Sequence, residues 1–381
     1  MSEPMTAAQL QQLNYQQRAA VLANAVQMKQ QIQSVNVDPA AQQVVNIQPR
    51  NVGLIKGFLV EVTATLTAGA AGVARTGFGS ANLVKNFTFT DLNNTVRINA
   101  PGWYVALINS ARQGWGYGGV YANNLAMGYG NNYDVNAGGA AIAAGADMRV
   151  RHIYYVPLAY SGDDLRGSIY AGVVSATMNL AITINNNPFA VAGADPVGAI
   201  YAGGAGAYKA GSTVNVTVYQ VYLDQIPSMN GGPILPIMDL NTVYELKSGS
   251  QTGAAVGQDF GIAYSNYRDF LSTTLVVDNG GVFMPGSDVN YFALTSANFT
   301  NLWKVSPEIA ALEARQVFMA DPPVGTYYFN HRDRPINTVA FGNMELNVNL
   351  NTVNNGAVLL VGYESFAQIN QLVSGAVSSL A

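Results

Sequence analysis

The chain has 381 residues, enough for one large domain or two medium ones, and only 10% of them are charged, against roughly 25% in an ordinary soluble globular chain. Net charge is −4 with 18 Lys and Arg, which leaves no basic field for gripping nucleic acid, and the absence of cysteine excludes disulfide staples and thiolate metal sites. So little charge fits a surface covered by neighbouring molecules, or a low-charge secreted β protein. The opening MSEPMTAAQL has neither a basic nor an apolar leader segment, so no secretory signal is expected, and the lack of cysteine suits synthesis in a reducing cytoplasm. No window reaches 18 uninterrupted apolar residues, so no membrane-spanning helix is expected.

Residues 6–35, TAAQLQQLNYQQRAAVLANAVQMKQQIQSV, carry only the charges of Arg18 and Lys29 and read as one long helix. Leu10 and Leu13 are followed by Val21, Ala25, Met28, Ile32 and Val35, the last five at steps of four, three, four and three, which places them on one face. Thr6 is the expected N-cap, and Asp38-Pro39 the expected stop, because the residue before proline avoids the helical region. Such a rod, ~45 Å long at ~1.5 Å per residue, is marginal alone and gains stability by docking its apolar stripe. The expected role is a docking element for a large assembly, carried by Leu10, Leu13, Arg18, Val21, Met28, Lys29, Ile32 and Val35. A coiled-coil stub, or a helix packed on its own domain, is the alternative.

After Pro39 the period changes to two. In residues 52–67, Phe58, Val60, Val62, Ala64 and Leu66 alternate with Leu59, Glu61, Thr63 and Thr65. MNLAITIN, STVNVTVYQVYL and MELNVNLN repeat the pattern, with turn clusters such as DLNNT and DNGG between them. Many short half-buried strands argue for antiparallel β-sandwiches. Helices are expected at SGDDLRGSIY from the Ser161 and Asp164 capping signature, and at DPVGAIYAG from Asp195 and Pro196. A third is expected at SPEIAALEARQVFMA, with Ile309, Leu312, Gln316 and Met319 on one side. Pro227, Pro233 and Pro236 mark a seam, which puts a first sandwich at 40–245 and a second at 246–368. The two show no repeat by residue identity. The Gly/Tyr/Asn-rich loop at 113–139 either packs over a sandwich edge or projects from the surface.

Motifs that resemble chemistry lack their context. GWGYGG, with Gly114, Gly116 and Gly119, is followed by more loop where a dinucleotide site needs a helix. HRDRP echoes a kinase catalytic loop, but the position of its asparagine is Thr338; Arg332, Asp333 and Arg334 fit a solvated turn or an inter-subunit ion pair. His152 and His331 are the only histidines, and strand alternation makes His152 a half-buried aromatic rather than a zinc ligand. Asp278, Asn279, Asp288 and Asn290 do not follow the calcium-loop order, and Asp163 and Asp164 are neighbours that share no helix face. No catalytic, cofactor-binding or metal residues are expected.

The strings NVGLIKGFLVEVTA, YYVPLAYSGDDLRG, YQVYLDQIP, GGPILPIMDLNTVYEL, LVVDNGGVFMPGSDVNYF, VGTYYFNHRDRPI and LLVGYESF, in this order over nearly the whole chain, resemble the major capsid proteins of tectiviruses, tailless phages with a membrane beneath the shell. The resemblance implies an all-β double jelly-roll of two eight-stranded sandwiches with a long N-terminal α-helix, and a homotrimer of pseudo-hexagonal outline that tiles an icosahedral shell. It also implies an N-terminal helix near the internal membrane and neighbouring capsomers, minor capsid and vertex proteins as partners, and an adaptable C-terminal arm at 369–381 with Ile369, Leu372 and Val373. It carries no catalytic residues and implies no direct contact with nucleic acid. The alternative is a double-sandwich glycan-binding or adhesive spike protein, motivated by Trp115 and Tyr117; a jelly-roll glycoside hydrolase would need a carboxylate pair that the sequence does not single out.

Overall fold

The computed structural model describes residues 6–39, 44–113, 133–134, 141–172, 177–190, 198–252, 256–279, 288–297, 299–318, 322–352 and 357–368. Helix α1 (Ala7–Asn24) leads into β1 (Val26–Val37), β2 (Val44–Ile47), β3 (Leu54–Ala68), β4 (Val84–Thr90) and β5 (Val96–Ala100). Helix α2 (Gly102–Gln113) precedes β6 (Asp147–Pro157), β7 (Asn179–Ile184) and β8 (Val214–Asp224). The second half runs β9 (Thr242–Thr252), β10 (Asp259–Ala263), β11 (Asp269–Asn279), β12 (Val289–Ser296), β13 (Phe299–Val305), α3 (Pro307–Phe318), β14 (Thr326–Asn330), β15 (Met344–Leu350) and β16 (Ala357–Gln368).

The pairing repeats. In the first half the principal strands form the orders β1-β8-β3-β6 and β2-β7-β4-β5; in the second, β9-β16-β11-β14 and β10-β15-β12-β13. Shifting every label by eight converts one set into the other, so both halves share one jelly-roll topology although no repeat is legible from residue identity. The expected alternation is what builds the cores: Phe58, Val60, Val62, Ala64 and Leu66 of β3 fill the first sandwich, and Met344, Leu346, Val348 and Leu350 of β15 the second. The sandwiches share a sheet. β9 pairs parallel with β5 (Leu246 with Ile98, Lys247 with Asn99), which fuses one sheet of each sandwich into a nine-stranded whole.

Several expectations are corrected. The helix expected through Val35 ends at Asn24, and Val26–Val37 is an edge strand paired with β8 from Val26–Asp224 to Val37–Val214, with a bulge between Gln31 and Gln33. Glutamine favours helices, but the open edge of β8 needs a partner, and Val26, Ile32, Val35 and Val37 suit a strand, so tertiary pairing overrides local propensity. The first sandwich therefore begins well before residue 40, and β9 runs unbroken across the limit placed at 245/246.

Residues 161–170 hold no helix. Ser161 Oγ accepts from the Asp164 amide at 3.1 Å, Asp164 is gripped by Arg166, and the loop then enters a short strand, Ile169–Tyr170, on β3. Asp195 and Pro196 lie outside the described residues, and the segment beyond them is a short strand, Tyr201–Ala202. Helix α3 is present, but it buries Ala310, Ala314 and Phe318 and turns Ile309, Leu312 and Gln316 outward; Met319 lies outside the described residues.

Helix α2 escaped the sequence reading because it has no exposed face: Trp103, Tyr104, Val105, Ala106, Leu107 and Ile108 are all buried, and so are Asn109 and Ser110. It is wedged between the sandwiches. A Cβ on Gly102 would lie 2.4 Å from the Val84 carbonyl oxygen, and one on Gly362 of β16 would lie 2.3 Å from the Tyr104 ring, so both glycines are required for this closeness.

Candidate assembly surface

Helix α1 is fastened to its own subunit by a polar grip and a small apolar cluster at its end. Thr6 and Gln9 form a reciprocal capping box, with the Gln9 amide donating to Thr6 Oγ1 at 3.3 Å and the Thr6 amide to Gln9 Oε1 at 2.8 Å. One turn later Asn14 Nδ2 donates to Asp239 Oδ1 at 2.9 Å, while Asn14 Oδ1 accepts from the Met238 amide at 2.9 Å. Arg18 completes a two-pronged grip on the buried Asp239 carboxylate, with Nε to Oδ2 at 2.6 Å and Nη2 to Oδ1 at 2.5 Å. That hydrogen bond and the Asp239 charge hold the Arg18 pKa above its ordinary value against partial desolvation. Val21, fully buried with Leu54, Leu165 and Leu223, closes the contact.

The inward positions are thus Asn14, Arg18 and Val21, and the stripe expected to dock is divided. Leu10 (43% exposed), Leu13 (37%) and the unanticipated Tyr15 (68%) face outward, and Ile237 and Met238 are exposed on the turn that α1 packs on. Arg18 and Val21 hold the helix. Met28 and Lys29 are exposed on β1, while Ile32 and Val35 are half-buried against the first core. Ile369, Leu372 and Val373 lie outside the described residues, as do Trp115, Tyr117 and most of the 113–139 loop.

Between the sandwiches sits a charged clamp that the sequence reading missed. Glu364 of β16 is fully buried, facing away from its own core and toward α2. Arg112, at the end of α2, places Nε 3.2 Å from Glu364 Oε1, and Arg332, beyond β14, donates from Nη2 to Oε2 at 3.0 Å. Ser272 and Tyr244 donate to the same carboxylate at 2.6 and 3.1 Å, and Arg332 Nη1 reaches the Ala111 carbonyl oxygen at 3.2 Å. The Arg112 guanidinium lies 4.5 Å from the Tyr160 ring centre and 4.8 Å from that of Tyr244. Burial pushes the Glu364 pKa up, but Arg332 and Arg112 together pull harder and hold it below the usual carboxylate range.

Arg332 is therefore an internal strut rather than part of a solvated turn, while Asp333 and Arg334 are exposed as a turn. His152 is fully buried, not half-buried, because it shares the inward phase of β6 with Val150 and Tyr154; Ser80 Oγ lies 3.1 Å from its Nδ1. A signal for the clamp was present: Glu364 is the lone carboxylate inside the apolar run LLVGYESF, and a charge in such a strand needs a buried partner. Among the described residues no group of three His, Asp or Glu could hold a metal, and no helix is long and apolar enough to cross a membrane.

The family described as P3 major capsid protein matches this chain in two parts, its N-terminal region over residues 2–226 and its C-terminal region over residues 241–379. The chain belongs to the P3 major capsid protein family. It is 40% identical over 365 residues to major capsid protein P3 of Enterobacteria phage PRD1, covering 95% of this chain and 92% of that one. In fold it is similar to the Sulfolobus Turreted Icosahedral Virus structure (TM-score 0.64, 12% identity, 93% of this chain and 94% of that one). It is also similar to the PBCV-1 virus capsid (TM-score 0.55, 10% identity, 90% and 94%).

Membership of the P3 family makes this a structural virion component of tectivirus type with a double jelly-roll fold, and it favours the capsid reading over glycan binding. The geometry shows how such a brick is stiffened. The shared sheet, the wedge α2 and the Arg112–Glu364–Arg332 clamp join the two sandwiches, and the exposed apolar groups of α1 are held on a polar mount.

Proposed function

We propose that three copies of this chain form a closed capsomer, in which six sandwiches give a pseudo-hexagonal outline that tiles an icosahedral shell. The observation that carries this reading is the repetition of one strand order twice in a single P3-family chain, since two like sandwiches per chain make a three-fold assembly nearly six-fold in shape. We divide the chain by its strands: a docking helix to residue 25, a first jelly-roll over 26–226, a second over 241–368 and an arm over 369–381.

Leu10, Leu13 and Tyr15 on α1, with Met28 and Lys29 on β1, meet neighbouring capsomers and the internal membrane; Ile369, Leu372 and Val373 adapt the arm to its lattice position. Minor capsid and vertex proteins meet the shell at its edges. The protein catalyses no reaction and does not touch the genome, in keeping with a charge of −4. Mass measurement in native buffer tests the capsomer: the expected species is about 120 kDa, three times 40.3 kDa, and a lone 40.3 kDa species contradicts it. Leu10→Asp with Leu13→Asp is expected to leave that mass unchanged and to abolish shell formation in an assembly reaction.

A further inference from the structure

The two sandwiches repeat a helix as well as their strands. α2 lies between the fifth and sixth strands of the first sandwich, α3 between the fifth and sixth of the second, and each has 12 residues. Counted from their first residues, Gly102, Val105 and Asn109 match Pro307, Ala310 and Ala314. These are the inward positions of α3, and Gly102 likewise lies against its own sandwich at Ala81 and Val84. The other face of α2 meets the neighbouring sandwich: Tyr104 lies over Gly362, and the Ala111 carbonyl accepts from Arg332. The matching positions on α3 are Ile309 and Gln316, with Leu312 between them, and all three are exposed, Ile309 at 47% and Leu312 at 49%. In α3 the face that does this work in α2 is left exposed in the single chain.

The surface that receives α2 is the outer face of β9-β16-β11-β14. Its counterpart in the first sandwich is the outer face of β1-β8-β3-β6, where Tyr219, Leu59 and Tyr155 stand in one row across three strands, all half-buried in the single chain. We propose that α3 of one copy seats Ile309, Leu312 and Gln316 on this outer face of a second copy, so that the contact made inside each chain is made again between chains. This rests on the trimer reading and specifies its interface. The donor surface lies on the second sandwich and the acceptor on the first, which is a head-to-tail contact that a ring can close.

The chain has no cysteine, so Leu312→Cys carries the only thiol. Labelled there with benzophenone maleimide, mixed with isotope-labelled copies and irradiated, the protein is expected to give cross-links between copies that map to residues 54–68, 147–157 or 214–224. In parallel, Ile309→Asp with Leu312→Asp, which leaves both cores untouched, is expected to keep the circular dichroism of the parent and to shift its native mass from the trimer to 40.3 kDa. A trimeric parent whose cross-links fall elsewhere, or whose double variant stays trimeric, overturns this seat and leaves the trimer standing. A parent that is not trimeric overturns both.

Discussion

Glu364→Gln removes one negative charge from between Arg112 and Arg332 while keeping the side chain's size, and it leaves one acceptor oxygen where the carboxylate accepts from Ser272 on one oxygen and from Tyr244 on the other. In the parent the carboxylate is fully buried, and the side chains of Arg112 and Arg332 are 5% and 15% exposed, so water cannot replace what is lost. Breaking a buried ion pair from one side costs about 3–5 kcal/mol, most of it from the charge left behind. Here two guanidinium groups are left, so the upper part of that range is expected. Urea unfolding at fixed protein concentration, followed by tryptophan fluorescence and circular dichroism, reads the change as a lower midpoint at unchanged slope.

Replacing the whole clamp, Arg112→Met with Glu364→Leu and Arg332→Met, is expected to restore most of the loss, because no unpaired charge remains. The same residue sets an acid limit. Arg332 and Arg112 hold the folded Glu364 pKa below its unfolded value of about 4.3, so its stabilisation is complete above that pH and is lost as pH falls through the folded value. A Glu364→Gln loss under about 1 kcal/mol, or a triple variant weaker than the single one, would refute the clamp.

Gly362→Ala drives a methyl into the Tyr104 ring and is expected to cost about 1–3 kcal/mol in the same unfolding assay, largely relieved when combined with Tyr104→Leu. Asn14→Ala with Arg18→Ala frees α1 from Asp239; limited proteolysis is expected to cut within residues 7–24 while the unfolding midpoint of the sandwiches holds. Removing residues 1–24 is expected to leave soluble, folded protein, whereas removing residues 1–38 strips β1 from β8 and gives aggregation through the bared strand edge, read by size-exclusion chromatography. Burial holds the pKa of His152 down at about 3 and that of His331 at about 4, so both are expected to stay neutral at pH 5 by NMR. Unfolded histidine takes up its proton near 6.5, so their contribution to stability is complete above that pH and declines as pH falls toward these folded values.

Period-two alternation made the strands legible, since a half-buried strand must place Phe58, Val60 and Val62 on one side and Leu59, Glu61 and Thr63 on the other. What local pattern could not convey was pairing. Val26–Val37 reads as helix from its glutamines and becomes a strand only because β8 lies beside it. Helix α2 has no exposed face to set its apolar residues apart, since even Asn109 and Ser110 are buried, and its environment depends on a second sandwich far downstream. For the site, the helical spacing offers only the expectation that Leu10 and Leu13 dock, and both are exposed in the single chain. Asn14, Asp239, Arg112 and Glu364 owe their roles to partners far away in sequence, and a sequence read locally does not join residue 14 to 239 or 112 to 364.

Electron cryomicroscopy of the purified capsomer tests the central claim most directly, since it images the arrangement of sandwiches rather than inferring it from mass. The expected particle has three-fold symmetry and six lobes of nearly equal size around its axis, with α3 of each copy against the first sandwich of the next. A two-lobed particle, or a ring in which like sandwiches meet each other, would contradict it.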